Sequence, residues 1–242
     1  MRRDVCNCGR QCNGDLYQLS CCNRPFNGPM GDEVPQTGMG VVVQQGKFTD
    51  VGPFNEVLSR HPNLRVVDLP SRLLMPGFID THNHLTQSYG KALAFGEPSE
   101  IFKRIWVPLE QHLTDEDLQI SAQLSALESL RGGFTTVCDA GTRSSAGLEA
   151  IETAVSTVGI RCVLSKICHD LGQSPEQIAT TEAQASKHLS QYTSGGLIHP
   201  SLAIAIPEAA SDSMLHKVAH MCRESGVAFQ VHVNEHVASV ER

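Results

Sequence analysis

The sequence lacks any apolar stretch close to the ~18 residues that a membrane-spanning helix needs. Its opening, Met1-Arg2-Arg3-Asp4, leads into cysteines and asparagines, so the apolar region of a secretory signal peptide is missing as well. Together these two absences predict a cytoplasmic protein that has no membrane partner.

The sequence also lacks a basic stripe and a long acidic run. Its 19 Lys and Arg residues and 26 Asp and Glu residues give a formal net charge of -7, spread over all 242 residues. Nucleic acids and anionic membrane surfaces are bound by clustered positive charge, so neither is expected as a partner. A chain of this length with 40% hydrophobic residues can bury a sizeable core. We therefore expect a small-molecule substrate, and homo-oligomerisation is left open.

The nine cysteines fall into two groups. Four lie in apolar segments, where a reduced cysteine packs as a small hydrophobic residue: Cys138, Cys162, Cys168 and Cys222. The other five crowd the first two dozen residues without a C-x-x-C pair or a nearby histidine, which argues against a structural metal site. Residues 1–37 are therefore interpreted as a Cys-rich tail without an assigned function.

The rest of the chain changes its pattern twice. Residues 38–72 contain short valine-rich runs joined by turns, which predict a small β layer. From residue 73 onward, apolar runs alternate with segments of helical period that end at glycine, and this alternation is typical of repeated βα units with a parallel sheet. The predicted strands span residues 73–81, 135–140, 160–168, 197–206 and 227–233.

The number of these units predicts an incomplete barrel. A full (β/α)8 barrel takes about 250 residues, or roughly 31 for each unit. The segment 73–242 is long enough for about five units, which agrees with the five predicted strands. The fold class predicted is α/β: a partial (β/α)8 barrel of about five units, preceded by a small β layer and without strands six to eight.

A histidine pair ends the first predicted strand of this barrel, in the string Pro76-Gly77-Phe78-Ile79-Asp80-Thr81-His82-Asn83-His84. Residues two apart in a strand point to the same side, so His82 and His84 can bind one ion through neutral imidazoles. An H-x-H pair alone is a weak signal, since surface histidines often have this spacing.

The residues around the pair make the signal specific. Leu73 to Asp80 followed by H-x-H closely resembles the amidohydrolase superfamily, and three downstream strings resemble its deaminase and chlorohydrolase branch: Ile105–Glu110, Leu113–Asp117 and Glu128–Asp139. The resemblance extends over residues 38–242. It implies that the two histidines bind a catalytic metal inside a (β/α)8 barrel. It also implies hydrolysis of carbon–nitrogen bonds other than peptide bonds, in particular the deamination of a nitrogen heterocycle.

A second group of polar residues follows the fifth predicted strand, in Phe229-Gln230-Val231-His232-Val233-Asn234-Glu235-His236. The resemblance implies that His232 is a further metal ligand and that Glu235 is the catalytic glutamate, which moves a proton between the attacking water and the ring nitrogen. Binuclear relatives carry a lysine at the end of strand four, which is missing here. We therefore expect one divalent metal ion, zinc or alternatively iron, and a binuclear hydantoinase-type enzyme is disfavoured.

These residues have two alternative interpretations. The letters H-x-x-E-H also occur in a class of zinc proteases, but that motif needs a helix, whereas residues 227–233 favour a strand. The family's later strands supply another histidine and an aspartate, so a chain without them can also be an inactive truncated amidohydrolase that at most binds metal.

Five further polar residues near predicted strand ends are candidates for substrate contacts or, alternatively, for structural hydrogen bonds: Gln87, Asp139, His169, Asp170 and Glu208.

Overall fold

The computed structural model describes residues 15–22, 36–97, 101–144, 147–192, 195–235 and 240. The chain divides into two compact units, residues 1–76 and 77–242. Among the described residues, no helix has both the length and the apolar character needed to cross a membrane.

The first unit is a four-stranded sheet with one helix. Its strands are β1 (Asp15–Cys22), β2 (Gln36–Gln44), β3 (Lys47–Pro53) and β4 (Arg65–Leu74), in the order β3-β2-β1-β4, and the helix is α1 (Phe54–Arg60). β1 pairs antiparallel with β2 and parallel with β4. The predicted strand over residues 73–81 is wrong in its first part, because residues 73 and 74 still belong to β4.

Strand β1 also corrects the interpretation of residues 1–37 as a tail. Leu16 of β1 is fully buried and packs with Val42 and Val57 in the core of this unit. The segment was missed because its partner β4 lies about 50 residues further along the chain, and such a pairing leaves no local pattern. Residues 1–14 and 23–35, which include Cys6, Cys8 and Cys12, lie outside the described residues.

The second unit is built on a five-stranded parallel sheet, and it confirms the predicted partial barrel. The strands pair in chain order, β5-β6-β7-β8-β9. Their bounds are Phe78–Asn83 for β5, Phe134–Asp139 for β6, Arg161–Ile167 for β7, Ile198–Ile204 for β8 and Phe229–Val231 for β9.

Helices connect these strands. They are α2 (Lys91–Ala94), α3 (Val107–His112), α4 (Asp115–Arg131), α5 (Glu149–Val158), α6 (Pro175–Gln191) and α7 (Asp212–Ser225), with 3-10 turns at Leu85–Gly90 and Pro207–Ala209 and a π-helical turn at Phe102–Trp106. Capping boxes begin α4 at Thr114 and α6 at Ser174, because each side chain accepts the backbone N–H three residues on. Gly159 and Gly226 end α5 and α7 with φ of 81° and 64°, which glycine adopts without strain.

The core of the second unit lies between the sheet and these helices. One cluster joins Val137 and Leu164 to Ile151 of α5, and another joins Ile204 to Val218 of α7. Cys162, Cys168 and Cys222 are buried in these clusters and free, as the sequence predicted, while Cys138 is partly buried. Burial raises the pKa of all four thiols, which keeps them protonated.

Candidate metal centre

Curvature of the parallel sheet brings three histidines together. His82 lies in β5, His84 directly follows it, and His232 directly follows β9. β5 and β9 are the two outermost strands in the pairing order, so a flat sheet would separate them by about 19 Å, at about 4.8 Å for each strand spacing. Instead, the ring centroids of His82 and His232 lie 4.9 Å apart.

The imidazole nitrogens converge on one point. One nitrogen from each of His82, His84 and His232 lies within 4.8 Å of the other two. Nε2 of His84 lies 3.1 Å from Nε2 of His232, and these two rings stack at a centroid distance of 5.0 Å. His82 meets both edge-on.

The hydrogen bonds around the cluster determine which nitrogens carry lone pairs. Nδ1 of His232 donates to the carbonyl oxygen of Ala205 at 2.8 Å, which leaves the lone pair of the neutral ring on Nε2. Burial, aided by the charges of His232, His82 and Arg143, lowers the pKa of His84 to about 3. The His84 ring is therefore neutral at physiological pH and can donate a lone pair to a cation.

The donor set fits a divalent metal. Nδ1 of His84 is buried and has no hydrogen-bond partner in the described part of the chain, so either tautomer of this ring leaves at least one nitrogen unpaired. Three imidazole nitrogens at this separation are a common ligand set for zinc, which binds histidine nitrogens at about 2.0–2.1 Å.

The predicted catalytic glutamate faces the same cavity as the histidines. The cavity has a volume of about 650 Å³, and Glu235, an exposed residue, contributes to its lining together with the three imidazoles. The wall includes the aromatic rings of Phe102 and Trp106, and the former begins the π-helical turn. Such turns are frequent at functional sites. The cavity therefore combines three imidazoles, a carboxylate and apolar walls.

Asp139 makes structural hydrogen bonds, which the sequence analysis named as the alternative to a substrate contact. Its carboxyl group is fully buried, does not line the cavity, and accepts the backbone N–H groups of Leu85 and Gly141 at 2.7 Å each. Burial raises its pKa to about 6, although these two hydrogen bonds act in the opposite direction. Since Leu85 follows His84, Asp139 holds the turn that carries this histidine.

The other polar candidates divide between structural and cavity positions. Asp170 accepts hydrogen bonds from the backbone and hydroxyl of Ser211, at 2.7 and 2.5 Å. His169 pairs with Gln173 at 2.7 Å. Neither residue is part of the cavity lining, whereas Gln87 is.

Sequence reasoning missed the buried ion pair next to the site. Glu110 is fully buried, and its Oε2 accepts hydrogen bonds from the backbone N–H and from Nη1 of Arg143, both at 3.1 Å. Gln87 donates to the other oxygen of Glu110 at 3.2 Å. The available signal was a carboxylate inside the apolar string Ile105–Glu110, since a buried carboxylate needs a partner.

A polar network fixes the strand that carries His232. Gln230 lies two residues before this histidine, and its Nε2 donates to the hydroxyls of Ser165 and Ser201 at 2.7 and 3.0 Å. Both serines are fully buried, on β7 and β8. The network therefore links three neighbouring strands close in sequence to His232.

The curved parallel sheet agrees with comparisons to known proteins. Residues 73–242 match the amidohydrolase family. This match covers more than half of the chain, so the protein belongs to the amidohydrolase family.

The curated relatives that this chain resembles include deaminases. A 5-methylthioadenosine/S-adenosylhomocysteine deaminase of Thermodesulfovibrio yellowstonii is 29% identical over 215 residues, which are 87% of this chain and 48% of that protein. A 5'-deoxyadenosine deaminase of Methanopyrus kandleri is 34% identical over 167 residues, which are 67% of this chain and 37% of that protein. The chain thus spans half or less of the length of these curated relatives.

A solved structure supports the fold. The crystal structure of an adenosine deaminase from Xanthomonas campestris with bound zinc matches with a TM-score of 0.76 at 19% identity, and the match covers 93% of this chain and 50% of that chain. At this identity the likeness shows the fold alone, which is the predicted partial barrel with its small sheet.

Proposed function

We propose that this chain carries the metal site and the proton-transfer group of a hydrolase that deaminates a nitrogen heterocycle. The observation that carries the proposal is the convergence of His82, His84 and His232 on one point in the cavity that Glu235 also lines. Membership of the amidohydrolase family and the deaminase names of its relatives support it.

The three histidines would hold one divalent metal ion, with zinc as the first candidate. A metal ion in such a site acts as a Lewis acid and lowers the pKa of a water molecule towards neutrality. The hydrogen bond from His232 to Ala205 orients its ring for this role, and the neutral His84 keeps a lone pair available.

Glu235 would carry the proton that hydrolytic deamination must move. Its carboxylate takes a proton from the attacking water and delivers it to a ring nitrogen, which makes the neighbouring carbon a better electrophile. Glu235 is exposed and lines the cavity, which supports this role. As the carbon–nitrogen bond breaks, a second proton passes from the added hydroxyl group to the amine, which leaves as ammonia, while the ring nitrogen keeps the first proton and the ring carbon becomes a carbonyl.

The cavity walls suit a flat, partly apolar substrate. Phe102 and Trp106 offer aromatic surfaces on which a heterocycle can stack, and the volume of about 650 Å³ lies within the range of ordinary small-molecule sites.

Metal binding is tested by adding zinc to the purified full chain and measuring bound metal after dialysis. We expect about one zinc ion for each chain, lost when His82, His84 or His232 is replaced by asparagine. His199→Asn is the matched control, because His199 is exposed on β8 and does not line the cavity. Equal zinc retention by the three ligand variants and this control would contradict the proposed site.

Catalysis is tested by ammonia release from a panel of aminopurines, aminopyrimidines and aminotriazines. Glu235→Gln should retain zinc but lower ammonia release by about 100-fold or more, because the amide cannot transfer the proton. Bound zinc without ammonia release from any panel member would instead favour a chain that binds metal without turnover. Full activity of Glu235→Gln would contradict the role given to this residue.

A further inference from the structure

Arg143 lies between the cavity and a buried carboxylate. Its side chain lines the cavity and is 18% exposed, and its guanidinium carbon lies 4.2 Å above the centre of the Phe102 ring. Stacking on an aromatic ring fixes the plane of a guanidinium group and leaves its edges free to donate hydrogen bonds. Arg143 is therefore an oriented donor in the cavity wall.

The buried carboxylate of Glu110 already balances the charge of Arg143. Nη1 donates to Glu110, whose carboxylate is fully buried and is also held by Gln87. This bond uses one of the five N–H donors that a guanidinium group carries. The ion pair as a whole is neutral, but the exposed part of the guanidinium still presents polarised N–H groups.

We propose that Arg143 is a recognition subsite that donates hydrogen bonds to an uncharged oxygen of the substrate, an oxo or hydroxyl group on the heterocycle. The inference rests on the proposed function only in taking this cavity as the substrate site. It narrows the substrate class to heterocycles that carry an oxygen substituent on the ring.

An uncharged oxygen is favoured over a carboxylate or phosphate for an electrostatic reason. An anion bound to Arg143 would share one cation with the buried carboxylate of Glu110, and two negative charges in a site of low dielectric repel strongly. A carbonyl or hydroxyl oxygen accepts the same N–H groups without adding charge. A hydrogen bond to a charged donor is still among the stronger ones in proteins.

The full chain supplies its own reporter for ligand binding. Trp106 is the only tryptophan in the sequence, and it lines the same cavity. Its fluorescence can therefore be titrated with three probes that share one ring: purine, hypoxanthine, which adds an oxo group, and purine-6-carboxylate, which adds an anion. Each titration is run with zinc and again with a chelator, because an oxygen on the probe can also bind the metal.

In the unaltered chain we expect hypoxanthine to bind about 10-fold or more tightly than purine, with and without zinc. Purine-6-carboxylate should gain no such advantage in the chelator-treated chain. A preference that exists only with zinc, or a preference for the carboxylate without zinc, would overturn the subsite.

Two variants assign the preference to Arg143. Glu110→Gln keeps the guanidinium but removes the balancing charge, so the preference for hypoxanthine should remain and the carboxylate should bind about 10-fold more tightly than before. Glu110→Gln combined with Arg143→Gln removes both charges, which avoids leaving a buried carboxylate unpaired, and the preference for hypoxanthine should disappear. If the double variant keeps the preference, the proposal is wrong. These binding results do not depend on zinc or turnover, so they can fail separately from the proposed function.

Discussion

Asp139 makes the stability of the barrel unit depend on pH, with a sign opposite to that of most carboxyl groups. Its burial raises the pKa from the ordinary value of 3.8 to about 6 in the folded chain. Between these two values the folded state keeps a proton that the unfolded state has released. The free energy of unfolding therefore falls as the pH rises through this window and levels off above pH 6.

The size of the effect follows from the shift. A change of about two pKa units at about 1.36 kcal/mol each corresponds to about 3 kcal/mol for a fully buried group. Replacement of Asp139 by asparagine keeps the size of the side chain and one acceptor oxygen but removes the titration. The stability of Asp139→Asn relative to the unaltered chain should then increase by up to about 3 kcal/mol between about pH 4 and about pH 7.5.

Urea unfolding followed by Trp106 fluorescence, in the presence of a chelator, measures this difference. The comparison of two chains that differ at one position cancels the titration of all other groups, including His84, whose lowered pKa acts in the opposite direction. A difference in stability that stays constant across this pH range would refute the reasoning.

Two further predictions concern local packing and capping. A Cβ added at Gly90 would lie 2.1 Å from Cζ3 of Trp106, so Gly90→Ala should lower the free energy of unfolding by about 1–3 kcal/mol and shift the fluorescence of this tryptophan. In the control variant Gly159→Ala the added Cβ meets open space and only the φ angle is unfavourable, so the fluorescence should not change. Equal spectra for both variants would contradict this packing. Thr114→Ala removes the capping box at the start of α4 and should lower the free energy of unfolding, measured in urea, by about 1 kcal/mol. Thr114→Ser keeps a hydroxyl group and should lower it much less. Equal losses in the two variants would argue against the cap.

Much of the fold was predictable because its signals are local. Apolar runs that alternate with segments of helical period predicted the five parallel strands. Thr114 and Ser174 mark helix starts, because the side chain of each accepts a hydrogen bond from the backbone N–H three residues further on. The strand β1 was not predictable in this way. It is stabilised by pairing with β4, about 50 residues away, and by the burial of Leu16 in a core that only the folded sheet creates.

The candidate site shows the same division. The H-x-H spacing predicted two neighbouring ligands, and the string around His232 predicted a third. The sequence separation of 148 between His84 and His232 makes their 3.1 Å approach a matter of tertiary structure. The pairing of Glu110 with Arg143 could not be predicted from the sequence either, because Arg143 lies 33 residues further on in a loop without a motif.

The sequence by itself determined the local elements, the residue types of the proposed metal ligands and the family to which the chain belongs. The tertiary structure alone decided which polar groups meet. The curvature of the sheet brings its two edge strands together at His82 and His232. The carboxylate of Asp139 accepts backbone N–H groups of Leu85 and Gly141 and does not line the cavity. The physical reason is that hydrophobic period and capping act over a few residues. The closing of a parallel sheet, in contrast, depends on the packing of all its strands and helices at once.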